Sequence, residues 1–501
     1  MAQFDDILPE ALFTCEQVRT AELALATTLP KGLYTLVERA GAAAYSALML
    51  QGEIKHCLVL AGSGNNGSDA LVLARLLLEQ RIPFSLLLTE TAHGPQERQL
   101  ALEKLDQQGG EYRILTAATL SEALQEADWI IDGLLGTGIQ GCVRADMAQW
   151  IELINQSATK VLSLDIPSGV NADTGKVYGD EPHGLQADVT VCFGALKQGL
   201  FTSDARQYAG RVLWADLGFS PVLPAPAARL RDRHFLPQVL SPRHRNSHKG
   251  SFGKVAVIGG EQGMPGAARL AAEGCLRSGA GLVCVLSHPS HQAMINTERP
   301  ELMFCGVEAD MATAIARLNW ASTIVLGPGL GTAEWGRRLF ALALSRAVPM
   351  VIDADGLNIL AADGQRCDHC VLTPHPGEAA RLLGQSVAKV EADRFAAVAL
   401  LQATFGGVVV LKGAGTLICD GEQTWLAPVG NPGLAGGGCG DVLSGIIGAL
   451  LAQGLSPAEA AVAGVVIHGE AADLAARDGE RGMLASDLFP FIRRLVNPDM
   501  T

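Results

Sequence analysis

Short apolar runs alternate along this chain with stretches whose apolar positions recur at helical spacing. Cys57-Leu-Val-Leu-Ala61, Phe84–Leu88, Trp129–Ile131, Val161–Leu164 and Val189–Phe193 read as strands, while Glu16–Thr28 and Asp69–Gln80 read as helices. Runs of this length without polar alternation suit a parallel sheet covered on both faces, because a solvated face demands polar residues at every second position. The rhythm restarts at Lys254–Ile258 and continues through Leu282–Leu286, Thr323–Leu326, Met350–Ile352 and Val408–Leu411 to a helix at Val442–Leu451. Thr416–Trp425, turning at Asp420-Gly421, predicts a hairpin, which gives the second sheet an antiparallel edge. Between the halves, Ser220–Pro242 carries Pro221, Pro224, Pro226, Pro237 and Pro242 with Arg229, Arg231, Asp232 and Arg233 among them, a linker composition. The expectation is an α/β protein of two domains: a three-layer α/β/α domain over 1–220, a linker over 221–242 and a second α/β domain over 243–501.

Composition narrows the function classes. With 48% hydrophobic and 18% charged residues, the chain is not a disordered one. Its 57 glycines and 5% aromatics fit many tight strand-to-helix turns better than an all-β binding module. A net charge of −14 without a basic stripe excludes nonspecific nucleic-acid binding, so any phosphate must be met by backbone N–H groups, a few basic residues or cations. No apolar run approaches the ~18 residues of a membrane span. The acidic Met-Ala-Gln-Phe-Asp-Asp start has no signal-peptide pattern, and the 11 cysteines sit in mostly apolar surroundings. A cytoplasmic protein with reduced thiols is expected. Cys367-Asp-His-Cys370 has metal-like spacing, but no second pair follows, and zinc is not expected.

In the first half, Gly62-Ser-Gly64-Asn-Asn-Gly67 lies between a strand and a helix and fits the G-x-G-x-x-G fingerprint of Rossmann-like folds, with Glu90 beyond it. Alone, that suggests a nicotinamide dehydrogenase or simply a closely packed turn. Asp132, Gly136-Thr-Gly138-Ile-Gln-Gly141 and Asp165-Ile-Pro-Ser168-Gly169 follow further strands. A parallel sheet gathers all of these at its carboxyl edge, where ligands bind. Asn66, Asp132 and Ser168 offer hard oxygen donors to a cation, leaving Asp165 for proton transfer; the plainer alternative is that each acid caps a turn.

Ala61-Gly-Ser-Gly-Asn-Asn-Gly-Ser-Asp69, Asp132-Gly-Leu-Leu-Gly-Thr-Gly138 and Leu164-Asp-Ile-Pro-Ser-Gly169 resemble the NAD(P)H-hydrate epimerase family over nearly all of residues 1–220. The resemblance implies a potassium ion held by Asn66, Asp132 and Ser168. It also implies a substrate site lined by Asn65, Asn66, Gly67, Ser68 and Asp69, by Gly136, Thr137, Gly138, Ile139, Gln140, Gly141 and Cys142, and by a catalytic Asp165. Ser68 stands where that family usually has glycine.

In the second half, Asn431-Pro-Gly-Leu-Ala-Gly-Gly-Gly-Cys-Gly440-Asp441 leads into an apolar helix. Consecutive glycines before a helix let N–H groups converge on an anion, and the helix dipole adds to the attraction. An acid placed there repels phosphate unless it takes a proton, which points to Asp441 as a base; helix capping is the plainer alternative. Lys412-Gly-Ala-Gly-Thr416 follows a strand but lacks a Walker ending. Asp353-Ala-Asp355-Gly-Leu-Asn358 and Thr373-Pro-His-Pro-Gly-Glu378 follow two more strands, with His375 stiffened between prolines.

Together with His248-Lys-Gly-Ser-Phe-Gly253 and Gly327-Pro-Gly-Leu-Gly331, these motifs resemble the ribokinase-like superfamily and, within it, the ADP/ATP-dependent NAD(P)H-hydrate dehydratases, over about 243–495. By that resemblance Ala267, Gly329, His375 and Asp441 contact the hydrate. Lys412, Gly413, Ala414, Gly415, Thr416 and Gly440 contact the adenine nucleotide, ADP or ATP, with Mg²⁺. Gly436 and Cys439 replace residues that relatives often carry as hydroxyls.

The two resemblances imply one repair pathway for hydrated NADH and NADPH, in which R and S hydrates are interconverted and the S form is dehydrated by way of phosphorylation. Small-molecule substrates and a homo-oligomer are expected, with no nucleic-acid or membrane partner. A ribokinase-type kinase of a vitamin precursor is the alternative for the second domain, and a noncatalytic binding module for the first.

Overall fold

The computed structural model describes residues 4, 7–90, 94–139, 141–179, 183–297, 299–308 and 310–498. The chain divides into two compact units, Met1–Arg229 and Leu230–Thr501.

The first unit is built on a parallel sheet. Its strands run in the order Arg113–Ile114, Phe84–Leu88, Cys57–Ala61, Trp129–Gly133, Lys160–Leu164, Val189–Phe193, Arg211–Ala215. Along the central strands, successive residues enter opposite cores. Val59, Ile131 and Leu162 join one cluster with helices Leu33–Met49 and Asn65–Glu79. Leu58, Ile130 and Val161 join another with helix Ala145–Gln156. Hence the strands carry no polar face, and the unit has the expected three layers. The order reverses between Cys57–Ala61 and Trp129–Gly133, a switch point where a crevice opens at the carboxyl ends. The helix expected from Asp69 begins four residues earlier, at Asn65, so the glycine loop feeds directly into its first turn.

Strand Ala11–Phe13 pairs parallel to Leu196–Lys197 and antiparallel to Ala228 and Arg229. The 221–242 segment is therefore more than a linker composition suggests. Ala228 is buried on the first unit's strand, while helix Leu236–Val239 places Leu236 in the core of the second. Proline at the second position of that helix costs no hydrogen bond.

The second unit's strands run Met303–Gly306, Leu282–Ser287, Lys254–Ile258, Thr323–Leu326, Met350–Ile352, Cys370–Leu372, Val408–Leu411, Thr416–Cys419, Thr424–Ala427. Pairing is parallel up to Val408–Leu411 and antiparallel beyond, where the hairpin turns on Asp420, whose carboxylate accepts from the N–H of Glu422 and Gln423. Helices Pro265–Arg277 and Cys439–Ala452 cross on one face at Gly445, where a Cβ would stand 2.0 Å from the Ala271 carbonyl. Only glycine permits that approach.

Cys367 and Cys370 are joined as a disulfide, which departs from the expectation that all thiols are reduced. Their Cα atoms are 5.5 Å apart, a separation that the short turn before strand Cys370–Leu372 imposes on a C-x-x-C pair.

Candidate active sites

The first site forms where strands Cys57–Ala61, Trp129–Gly133 and Lys160–Leu164 end. A Cβ on Gly62 would lie 1.9 Å from the Leu134 carbonyl, and one on Gly67 would lie 2.1 Å from the Gly62 carbonyl. The glycines let three backbone segments touch. Ser68 is fully buried, with its hydroxyl turned back to the Gly64 carbonyl at 3.4 Å, so a small side chain fits at this position.

Beneath the loops lies a polar knot. Asp132 is completely buried; Oδ1 accepts from the Ser168 hydroxyl at 2.6 Å, and Oδ2 accepts from the Ser163 hydroxyl at 2.8 Å and the Ser168 N–H at 2.9 Å. Burial raises its pKa against these hydrogen bonds, and no basic side chain pairs with it among the described residues. Asn66 donates to the Leu135 and Leu164 carbonyls at 2.7 and 3.0 Å, yet its own Oδ1 is buried with no partner among the described residues. A buried carboxylate lacking a countercharge and an orphaned amide oxygen, beside two carbonyls, are what a monovalent cation would satisfy.

Asp165 sits at the rim with φ +62°, a left-handed conformation that is costly for a non-glycine residue. Oδ1 accepts from the Phe193 N–H at 3.1 Å and from the buried Lys197 ammonium. Asp69 is buried on the second turn of its helix, and its pKa is raised well above its ordinary value by desolvation and then by the charges of Asp165 and Glu22. Asn65, Gly138 and Cys142 are exposed, whereas Gly136, Thr137, Ile139 and Gly141 are partly covered. A Cβ on Gly136 would touch the Asn66 side chain at 3.3 Å, and Ile139 is tied down by Asn171. Gln140 lies outside the described residues.

Glu22 and Lys197 were not singled out from the sequence. Glu22 reaches the site on helix Cys15–Ala26, and Lys197 through the pairing of Phe13 with Lys197. Lysine at the end of the apolar run Val189–Leu196 was the available signal.

In the second unit, Lys412 donates to Asp353 Oδ1 at 3.0 Å and stands 3.8 Å from Glu378. Burial would lower its pKa, but the charges of Asp353 and Glu378 raise it. Asp353 Oδ2 accepts from Ser444 at 2.6 Å, which ties the strand end to helix Cys439–Ala452. Thus the Lys412 amine turns inward to acids, while Gly413 and Ala414 are the exposed part of its loop and Gly415 and Thr416 turn back into the sheet. A Cβ on Gly413 would strike the buried Arg394 guanidinium, which donates to the carbonyls of Leu411 and Lys412 and braces the loop from below.

Gly438, left-handed at φ +93°, caps the Cys439 helix without a side-chain acceptor. The N–H groups of its first turn are therefore available to an anion. Asp441 lies in that turn and makes no hydrogen bond or ion pair among the described residues. Its pKa is pushed up to about 7 by desolvation first and by the Asp353 charge next, against Lys412. Gly440 is adjacent; a Cβ there would lie 3.3 Å from the Lys412 amine. Cys439 points into the apolar core, and a Cβ on Gly436 would meet nothing nearer than 3.8 Å. The negative charges of Asp353, Asp355 and Glu378 all bear on Asp441, although among the described residues these acids do not converge on a single point.

Gly329, at φ +59°, and Ala267 adjoin, a Cβ on the former lying 3.3 Å from that of the latter. His375 caps helix Pro376–Leu383: its Nδ1 accepts from the N–H of Gly377 at 3.0 Å, and its backbone N–H donates to the Glu378 carboxylate at 2.8 Å. Its Nε2 lies 3.5 Å from the Glu378 carboxylate.

Comparison with known proteins covers both units. A family described as NAD(P)H-hydrate dehydratase matches residues 255–494, and one described as YjeF-related protein N-terminus matches residues 33–199. The bifunctional NAD(P)H-hydrate repair enzyme of Escherichia coli is 43% identical over 99% of this chain and 95% of its own. That of Coxiella burnetii is 44% identical over 97% and 99%. A solved ribokinase-like superfamily protein from Enterococcus faecalis superposes with TM-score 0.51 at 28% identity, covering 55% of this chain and 97% of its own.

Proposed function

The chain belongs to the family of bifunctional NAD(P)H-hydrate repair enzymes, and from that premise we propose that it restores hydrated NADH and NADPH. In this reading residues 1–220 interconvert the R and S hydrates, and residues 243–501 dehydrate the S form using ADP or ATP, which releases AMP or ADP and phosphate. The observation that carries it is the Asp441 carboxyl, unpaired, poised near neutrality and set in a glycine-rich helix start beside Lys412.

Hydroxide is a poor leaving group, so phosphorylating the C6 hydroxyl eases its elimination. Asp441 accepts the hydroxyl proton as the oxygen attacks the terminal phosphorus of the nucleotide. First-turn N–H groups near Gly440 face the transferring phosphoryl oxygens, and Lys412 offsets the acids around it. Magnesium, when bound, screens phosphate charge. The C6–O bond then breaks with phosphate as leaving group, a proton leaves C5, and the C5=C6 bond reforms. Ala267, Gly329 and His375 border the hydrate; Gly413–Thr416 border the nucleotide.

In the first unit Asn65–Asp69 and Gly136–Cys142 enclose the hydrate, and Asp165 serves proton transfer at C6. Asn66, Asp132 and Ser168 would hold a potassium ion, which would supply the countercharge that the buried Asp132 lacks. The test is product analysis with an R/S hydrate mixture and either nucleotide. Free phosphate with NADH absorbance supports the repair reading; an accumulating phosphorylated product would favour a ribokinase-type kinase, and a first unit inert toward the epimers would make it a binding module. No described helix is long and apolar enough to cross a membrane. Sedimentation tests the expected homo-oligomer.

A further inference from the structure

Lys197 is 1% exposed, a rare place for a lysine, and its ammonium is fully engaged. It donates to Asp165 Oδ1, to the Phe193 carbonyl at 2.7 Å and to the Cys192 sulfur at 3.7 Å. With the Phe193 N–H also on Oδ1, one oxygen of Asp165 is clamped twice, while no described residue bonds Oδ2. Three further acids surround this pair from separate elements: Glu22 on helix Cys15–Ala26, Asp69 on helix Asn65–Glu79, and Asp173, which accepts from the Cys15 N–H at 2.7 Å. Arg19 and Glu97 lie farther out, beside Glu22. Asp69 has neither a hydrogen bond nor an ion pair among the described residues, although it is buried.

We infer that Lys197 is a positioning residue for the proposed epimerisation, clamping Asp165 as a carboxylate that works through Oδ2, and that the proton for the departing hydroxyl comes from Asp69. Two carboxyls in one site with opposed surroundings take opposed roles. The inference rests on the epimerase reading above. Asp69 gives its proton to the C6 hydroxyl, the C6–O bond breaks with its electron pair leaving on water, and the ring nitrogen lone pair forms a C6=N bond. Water then adds to the other face, the C6=N electrons return to nitrogen, and the surplus proton passes to Asp165 Oδ2 and back to Asp69 through solvent. Burial and the neighbouring negative charges favour the protonated form of Asp69.

The test uses the full chain and epimerase kcat/KM against pH. Lys197→Met removes the ammonium that pins Asp165 Oδ1, so epimerase kcat/KM should fall most at the acidic end and recover at high pH. A uniform loss at every pH, or an unchanged profile, overturns the clamp, because a purely structural role has no such signature. Should Lys197→Met not fold, Asp69→Asn decides the acid assignment: it should lose ~10²–10⁴-fold at all pH values, and a wild-type rate overturns it. Dehydration of S hydrate stays unchanged in both variants. If the wild-type protein epimerises nothing, the functional reading fails, and the clamp is still read from the ¹³C carboxyl signal of Asp165, identified by its loss in Asp165→Asn. That signal should move in Lys197→Met, which strips one donor from Oδ1; an identical signal in both proteins overturns the inference.

Discussion

Asp441→Asn preserves the shape of the helix start but cannot accept the C6 hydroxyl proton. Losing a general base costs ~10²–10⁴ in rate, which at 1.36 kcal/mol per decade is roughly 3–5 kcal/mol of transition-state stabilisation. The surroundings predict the pH dependence as well. Desolvation and the Asp353 charge place the Asp441 pKa at about 7, and a base must be ionised to act. In the wild type, kcat/KM for S hydrate should therefore fall tenfold per pH unit below about 7 and level off above it. Asp353→Asn removes a negative neighbour and should move the limb to lower pH; Lys412→Met removes the positive one and should move it higher. Asp441→Asn should abolish the limb while nucleotide binding survives, since its N–H donors and the Gly413–Thr416 loop are intact. The assay is NADH recovery at saturating nucleotide over the pH range, with calorimetric nucleotide binding alongside. Repair by Asp441→Asn at the wild-type rate, or a wild-type profile flat through neutrality, would refute the assignment.

Asp132→Asn should weaken potassium activation of epimerisation and leave dehydration intact; potassium titration of both activities measures it. Gly67→Ala forces a Cβ to within 2.1 Å of the Gly62 carbonyl, which should destabilise the first unit by about 1–3 kcal/mol in urea unfolding and suppress epimerisation. A fragment ending at Arg229 should melt higher than one ending at Ser220, because only the longer keeps the pairing of Ala228 and Arg229 with Leu12 and Ala11; equal melting temperatures would make that pairing dispensable.

The buried strands were legible because each is apolar on both faces, so a run such as Val408–Leu411 announces itself without reference to its neighbours. Glycine loops were legible because backbone contacts of about 2 Å admit no other residue. What escaped depends on distant partners. Leu196–Lys197 is too short for any pattern and becomes a strand only beside Leu12 and Phe13, yet that pairing brings Lys197 to Asp165. Glu22 lies on a helix whose local sequence gives no hint of the crevice it faces. Five prolines disguised the 221–242 segment, although Pro237 occupies a helix's first turn, where its missing N–H costs nothing. The acids at strand ends were visible, but their roles are set by burial and charge: Asp132 sealed among hydroxyls, Asp441 left unpaired.

The most direct measurement supplies purified full-length protein with an R/S mixture of NADH hydrate and excess ADP or ATP, and follows NADH to its endpoint. The account predicts complete recovery by the wild type with one phosphate released per NADH, arrest near the S fraction for Asp165→Asn, and no recovery for Asp441→Asn. A phosphorylated hydrate that accumulates without NADH, or a wild-type reaction that itself halts at the S fraction, would contradict it.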